Sequence, residues 1–277
     1  MLGYRDFVCS PDRGPAIVVH RGAWTSGPEN SLLSIGRAFD AGHPIVEIDI
    51  QQAACGALFL MHDATLTRMT GDDEVARRKS MAELAALRLY DGNGKGAVPT
   101  DQPVAALADA LRLAEGRGYF DLDVKFAELI DETAAFAAAE GAADRVSFKV
   151  VVRTAADVDR MRRVQDRHGV MGMPITEMTA DTWAAAAARA IGLQAAMTEV
   201  HFDTLDTLRR ASDVLRSAGV AVWVNSLDDV QSAGLSDTQA LRDPEAVWGV
   251  MLDAGVSLIQ TDAPDALAAY IARRTAR

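Results

Sequence analysis

Chemistry concentrates at four places in this sequence. His20-Arg21-Gly22 follows directly on the apolar run Ile17-Val18-Val19, so an imidazole and a guanidinium stand at the end of a buried strand. Taken alone, His20 also reads as a satisfied core histidine. Glu47 and Asp49 sit two apart in Ile45-Val-Glu-Ile-Asp-Ile50, and side chains two apart on a strand share a face. Two buried carboxylates side by side resist ionisation unless a cation joins them, and their hard oxygens suit Mg²⁺, Ca²⁺ or Mn²⁺. The plainer alternative makes one of them the salt-bridge partner of Arg21 or Lys125. Asp121-Leu-Asp123-Val-Lys125 puts three charges on one strand face, which is costly without pairing or function. Asp123 can supply a third carboxylate to a cation; Lys125 either binds an anion or neutralises Asp123. His62-Asp63 closes the short run Leu58–Met61 and adds a second imidazole, which makes an acid/base pair possible because imidazole titrates near neutrality.

Together these residues describe a site for a metal and a phosphate. Arg21 fits phosphate bidentately, and a cation would neutralise charge on the phosphoryl oxygens. A cation-free reading, with two carboxylates acting as glycosidase acid and base, leaves His20, His62 and Lys125 without a specific task. Lys149, Glu177, His201, Asp203 and Asn225 also fall at strand ends, where each faces a substrate or serves as a solvated loop residue or cap. His43 and His168 read as surface or capping residues, and Glu74–Lys79 and Arg160–Arg167 as solvated helix faces. Trp223 either walls a pocket or packs a core.

The elements that must position these groups alternate. Nine runs favour strands: Ala16–His20, Pro44–Ile50, Leu58–Met61, Tyr119–Lys125, Val146–Val152, Val170–Ile175, Ala196–Phe202, Val220–Asn225 and Ser257–Thr261. Helical Ala/Leu/Arg segments lie between most of them. Ser80-x-x-Glu83 reads as a capping box opening a helix over Met81–Leu89, Thr154-x-x-Asp157 opens one that stops at Gly169, and Ser226-x-x-Asp229 is a weaker version. Gly42, Gly116 and Gly219 read as helix stops just before strands. Alternation means parallel pairing through right-handed crossovers. Leu58–Met61 lies too close to its predecessor for a crossover helix, which leaves eight strands, the count of a TIM (β/α)8 barrel. A doubly wound sheet competes, but no GxGxxG follows the first strand. Residues 1–277 are expected to form one barrel, with 51–103 an elaborated βα connection carrying the extra strand and the loop Asp91–Gly96.

Composition limits the partners. The 277 residues are 49% hydrophobic and 24% charged, which excludes a disordered, fibrous or low-complexity chain. With 28 Lys+Arg against 39 Asp+Glu, the formal charge is −11. That balance argues against nucleic acid or an anionic membrane as general partner. Two cysteines and no CxxC imply neither a disulfide scaffold nor a zinc site. Met1–Pro11 lacks the apolar run of a signal peptide, and the Ala-rich Trp183–Met197 reads as a packed helix rather than a membrane span. The expectation is a soluble cytoplasmic protein with a small-molecule partner, no nucleic acid and no stable membrane anchor.

The ordered motifs His20-Arg21-Gly22, Pro28-Glu29-Asn30-Ser31, Glu47-x-Asp49, Gly56 and His62-Asp63 resemble the opening of the glycerophosphodiester phosphodiesterase family, which shows HRG, PENT, E-x-D, a turn glycine and HD. Leu66-Thr67-Arg68-Met69-Thr70 looks like its L-x-R-x-T continuation, and Asp123-Val-Lys125 like its E-x-K with Asp for Glu. Val222-Trp223-Val224-Asn225 looks like a worn W-T-V-N, and Gly255-Val256 and Thr261-Asp262-Ala263-Pro264 like G-V-D and T-D-x-P. The stretch from Val146 to Phe202 shows little beyond barrel periodicity, with Ser147-Phe-Lys149-Val where the family carries a serine and phenylalanine segment. The resemblance implies a TIM barrel that hydrolyses glycerophosphodiesters to glycerol 3-phosphate and an alcohol with one divalent cation. Carried over, Glu47, Asp49 and Asp123 are the metal ligands, His20 and His62 the general acid and base, and Arg21 and Lys125 the phosphate holders. Asn30 and Trp223 complete the expected substrate contacts. A related phosphodiesterase for a sugar phosphodiester or a lysophospholipid, with Lys149, Glu177 and His201 setting selectivity, is the alternative, followed by a non-catalytic binding barrel.

Overall fold

The computed structural model describes residues 1–230 and 232–276. Nine strands occur in chain order: β1 (Ala16–His20), β2 (Ile45–Gln52), β3 (Leu58–Leu60), β4 (Tyr119–Val124), β5 (Val146–Val151), β6 (Met171–Met178), β7 (Met197–Phe202), β8 (Ala221–Asn225) and β9 (Leu258–Thr261). They pair in the order β1-β9-β8-β7-β6-β5-β4-β2-β3, and β1 also pairs with β2. Eight parallel strands therefore close on themselves, and the expected (β/α)8 barrel is the observed fold. β3 runs antiparallel to β2, with Ile50 opposite Leu60. It is the extra strand of the insertion.

The chain resolves into two compact units: Val19–Phe148 together with Met1, and Leu2–Val18 together with the chain from Lys149 onward. The boundary passes along the chain inside β1 and β5. In the first unit, β2 is buried at every position but its last, as a parallel strand covered on both faces must be. The helix Leu32–Asp40 opens at Ser31, whose Oγ accepts from Ser34 N–H at 3.1 Å, and buries Ile35, Ala38 and Phe39. His43 closes that helix through its backbone N–H, 3.1 Å from Ala38 O, while its side chain is buried rather than at the surface. The insertion has a small core of its own, with Phe59, Met61, Leu66, Met69, Leu84, Leu89 and Val104 buried together. Its helix has the expected capping box at Ser80 and Glu83 but ends at Ala86. Leu89 leaves the helix to bond the returning chain, its N–H to Gln102 O at 2.8 Å and its carbonyl to Thr100 N–H at 3.0 Å. The run Glu74–Lys79 is likewise no helix face but a 3-10 turn over Ala76–Arg78.

In the second unit, Thr154 and Asp157 form the expected capping box of a helix over Ala155–His168, and Gly169 follows it. The helix Trp183–Gly192 buries Ala186, Ala187 and Ala190. The glycines expected to stop helices follow them by two or three residues, Gly42 after Asp40, Gly116 after Leu113 and Gly219 after Ser217. In this unit one helix expectation fails. No helix forms over 226–230, where only 228–229 are turn, because Ser226 Oγ donates to Asp237 Oδ1 at 2.6 Å and is spent on a tertiary partner instead of a helix start. No helix among the described residues is long and apolar enough to cross a membrane.

Candidate active site

The first unit assembles seven of the sequence-selected residues: His20, Arg21, Glu47, Asp49, His62, Asp123 and Lys125. Parallel register sets Glu47 beside Asp121 and Asp49 beside Asp123. Asp121 is fully buried and accepts from Ser147 Oγ at 2.5 Å. Glu47, Asp49 and Asp123 each offer a carboxylate oxygen, all within 4.8 Å of one another.

The turn after β1 is built around backbone constraints. Arg21 has φ 57°, and its N–H donates to Glu47 O at 2.9 Å, while its carbonyl accepts from Asn30 N–H at 2.9 Å. Gly22, at φ 83°, abuts the helix Leu32–Asp40; a Cβ there would lie 2.6 Å from Ser34 Oγ and 2.9 Å from Ile35 N. Only glycine fits both the left-handed backbone and this approach. The turn aims Arg21 Nε at Asp49 Oδ2, 3.1 Å away. Asn30 locks the same carboxylate: its Nδ2 donates to Asp49 Oδ2 at 2.6 Å, and its Oδ1 accepts from Asp49 N–H at 3.0 Å. Both ends of this buried amide are thus committed to Asp49.

Lys125 Nζ lies 2.6 Å from Asp49 Oδ1 and 2.7 Å from Asp123 Oδ2. Burial pushes the Asp49 carboxyl up, but the Lys125 ammonium and the Arg21 guanidinium outweigh it and hold it well below the usual carboxylate range. Burial lowers the Lys125 pKa, but Asp49, Asp123 and Glu47 outweigh it and raise it above the ordinary lysine value. His20 Nε2 is 3.9 Å from Glu47 Oε2.

His62 stands on the turn after β3, and Gln51 holds that turn by donating to the carbonyls of Met61 and Asp63, both at 2.8 Å. His62 Nδ1 is 2.7 Å from Asp63 Oδ1. Bonds from Arg68 hold Asp63 down at about 2. An ionised carboxylate only accepts, so His62 Nδ1 is the donor in this bond. Arg68 Nε donates to Asp63 Oδ2 at 2.7 Å, and its Nη2 reaches Glu29 Oε1 at 2.6 Å. Glu29 in turn meets Arg21 Nη1 at 3.3 Å.

These residues fit a divalent cation. The donors are three hard oxygens, and oxygens on opposite sides of one Ca²⁺ lie about 5 Å apart, which the 4.8 Å cluster satisfies. Asp49 Oδ1 is buried without a hydrogen bond of good geometry, its ion pair with Lys125 aside. The charges agree. Six carboxylates (Glu29, Glu47, Asp49, Asp63, Asp121, Asp123) stand against three cations (Arg21, Arg68, Lys125), an excess of acid that a divalent ion would reduce.

The second unit holds a different polar cluster. Glu199, on β7, is buried; Lys149 Nζ lies 3.0 Å from its Oε2, while His201 Nε2 at 2.8 Å and Asn225 Nδ2 at 2.9 Å meet its Oε1. Burial would raise the Glu199 carboxyl, but Lys149 and His201 bring it down to about 2. Trp223 is fully buried here, its Nε1–H donating to Asn225 Oδ1 at 2.7 Å, with Lys149 Nζ 5.2 Å from the ring centroid. Glu177 and Asp203 are exposed, Glu177 paired with Arg153 Nη2 at 2.5 Å. Glu199, Gln51 and the pairings of Glu29 and Arg68 are absent from the sequence reading. For Glu199 the signal is a lone acid two positions before His201 in an apolar strand.

A family described as a domain of unknown function, DUF4996, matches residues 172–271. Among curated proteins, a glycerophosphoinositol inositolphosphodiesterase of Mus musculus is 41% identical over 56 residues, which is 20% of this chain and 10% of that protein. A glycerophosphodiester phosphodiesterase of Caldanaerobacter subterraneus is 30% identical over 71 residues, 26% of this chain and 29% of that one. The matched stretches thus span from a tenth to under a third of these relatives. Solved structures match at full length. A glycerophosphoryl diester phosphodiesterase from Parabacteroides distasonis superposes with a TM-score of 0.80 at 22% identity, over 97% of this chain and 91% of that chain. An Oleispira antarctica phosphodiesterase in complex with the product sn-glycerol-3-phosphate gives 0.69 at 20% identity, over 93% and 97%. In its barrel fold the chain is similar to these phosphodiesterases, and short stretches of its sequence match theirs.

Proposed function

We propose that this protein is itself such an enzyme, hydrolysing glycerophosphodiesters to glycerol 3-phosphate and an alcohol. One observation carries the reading: a triad of carboxylates within 4.8 Å stands in the same unit as two histidines and two cations that suit a phosphodiester. Arg21 and Lys125 hold the phosphoryl oxygens, and both remain charged because the acids around them raise their pKa. Glu47, Asp49 and Asp123 would hold one divalent cation, which when bound draws charge from those oxygens. Asn30 acts through Asp49, whose carboxylate it orients. Trp223 organises the polar cluster of its own unit through Asn225 and Lys149.

The two histidines divide the proton transfers. His62, its Nδ1–H fixed on Asp63, accepts at Nε2 the proton of the substrate hydroxyl next to the phosphoester, and that oxygen attacks phosphorus. His20 gives a proton to the departing alcohol oxygen. Water then opens the cyclic phosphate with the two roles exchanged. Each transfer contributes roughly 10²–10⁴-fold. Cys9 and Cys55 are both exposed free thiols, which suits the reducing cytoplasm as the setting.

The test is release of glycerol 3-phosphate from glycerophosphocholine and glycerophosphoethanolamine with Mg²⁺, Ca²⁺, Mn²⁺ or EDTA, for wild type and His20→Ala. Metal-dependent release, abolished in a folded His20→Ala protein, supports the proposal. No release with any cation from a folded wild type refutes this substrate class.

A further inference from the structure

The sequence motif Leu66-Thr67-Arg68-Met69-Thr70 and the glycine-rich loop Asp91–Gly96 take no part in the mechanism above, yet they meet at one side chain. The Arg68 guanidinium forms a fork on Asp63, Nε to Oδ2 at 2.7 Å and Nη2 to Oδ1 at 3.0 Å. The same Nη2 reaches Glu29 Oε1 at 2.6 Å, and Nη1 donates to Asn93 O at 2.6 Å. His62 Nδ1 meets the same Asp63 Oδ1 at 2.7 Å, and Arg21 Nη1 meets the same Glu29 Oε1 at 3.3 Å. We propose that Arg68 is a positioning residue that sets two parts of the catalytic machinery at once, the proton-transferring His62 through Asp63 and the phosphate-holding Arg21 through Glu29.

The geometry requires arginine. Glu29 has only 2% of its side chain exposed, so its charge needs fixed partners rather than water. One planar group with five N–H donors can serve two carboxylates in fixed directions; a lysine ammonium at the end of a flexible stem cannot reproduce the fork. The loop Asp91–Gly96 fixes both arms from outside. Its Gly92 carbonyl accepts from Glu29 N–H at 2.8 Å, and its Asn93 carbonyl takes Arg68 Nη1. Gly94, at φ 76°, passes so close that any Cβ would collide with the Arg68 carbonyl. The insertion thereby becomes the scaffold of the positioning residue.

The kinetic part of the proposal rests on the phosphodiesterase reading; the orientation of His62 does not. The experiment uses the full chain as wild type, Arg68→Gln, Arg68→Lys, Asp63→Asn and Glu29→Gln. Three quantities are read: ring ¹⁵N shifts of His62, which report which nitrogen carries the proton; calorimetric affinity for inorganic phosphate; and kcat and KM on glycerophosphocholine. Asp63→Asn is expected to lower kcat, and Glu29→Gln to weaken phosphate binding and raise KM, each by roughly 10–100-fold, the usual cost of removing a residue that orients a site group. Arg68→Gln is expected to do both and to mix the His62 tautomers. Arg68→Lys keeps the charge and the fold but restores at most one of the two effects. In the Arg68→Gln/Asp63→Asn double variant, kcat falls no further than in the worse single variant, because both act on one chain of bonds. The proposal is overturned if Arg68→Gln lowers only thermal stability while His62 keeps its proton on Nδ1 and phosphate affinity is unchanged, the behaviour of a mere loop staple. If wild type turns over no glycerophosphodiester and binds no phosphate, the functional reading falls, and the His62 tautomer alone decides the role of Arg68.

Discussion

Glu199→Gln tests the electrostatics of the second unit without reference to any reaction. Glu199 is 3% exposed, and three side chains converge on it: Lys149 at 3.0 Å, His201 at 2.8 Å and Asn225 at 2.9 Å. Its carboxyl falls from an ordinary 4.5 to about 2 on folding. Such a drop corresponds to roughly 3 kcal/mol of stability at neutral pH. The sign is that of a depressed acid: the contribution is fully present above about 4.5 and is lost as pH falls towards 2. The amide leaves Lys149 buried beside a neutral oxygen, and breaking a buried pair from one side costs about 3–5 kcal/mol. Urea unfolding of wild type and Glu199→Gln should therefore differ by about 3 kcal/mol at pH 7, and the gap should narrow as the buffer is taken below pH 4. Glu199→Gln/Lys149→Met removes both charges and should recover much of the loss. A Glu199→Gln cost under about 0.5 kcal/mol at pH 7 would refute the reasoning, because it would mean the pair contributes no more than a surface ion pair.

Three further outcomes follow from the first unit. His62→Ala and His20→Ala should each lower kcat by roughly 10²–10⁴-fold with little change in unfolding midpoint; steady-state kinetics beside thermal melts checks this, and undiminished turnover in either variant removes that histidine from the proton transfers. Mg²⁺ or Ca²⁺ at about 100 times its Kd should stabilise wild type by about 2.7 kcal/mol and Glu47→Gln far less, as read by calorimetric unfolding; an equal gain in both places the ion elsewhere. Gly22→Ala should cost at least about 1–2 kcal/mol for the left-handed backbone alone, since its Cβ also meets Ser34 Oγ and Ile35 N; chemical denaturation showing wild-type stability would contradict that approach.

The strands and the central residues were legible because both follow from local rules. Period two puts Glu47 with Asp49 and Asp123 with Lys125 on shared faces, and the alternation of strands with helices leaves few topologies besides a barrel. Capping boxes at Ser80 and Thr154 are local as well, and both form. What escaped is what depends on distant partners. Ser226 carries the same local pattern but is drawn to Asp237, eleven positions on. Arg68 and Glu29 are 39 positions apart, and nothing in either segment names the other. Glu199 gathers Lys149 from β5 and Asn225 from β8, so its hub role exists only once the strands have paired.

The charge balance explains why Lys125 and the carboxylates coexist. Glu47 and Asp49 are both buried in one strand, an arrangement that alone would drive a proton onto one of them. Instead Asp49 is held ionised by Lys125 and Arg21, and Asp63 by Arg68. Both acids are depressed, so their contribution to the network is complete above the ordinary carboxylate pKa and fails only as pH falls below it. The pairing of Lys125 with Asp49 and Asp123 leaves the six-acid, three-base group short of positive charge. Replacing Lys125 by Met would widen that deficit by one charge. The variant should lose phosphate affinity, because an anion-holding ammonium is gone, while its affinity for the divalent cation should rise, because the same oxygens then lack their competitor. Calorimetric titration of the apo chain with Ca²⁺ separates the two: weaker Ca²⁺ binding in Lys125→Met than in wild type would show that Lys125 organises the carboxylates for the ion rather than competing with it.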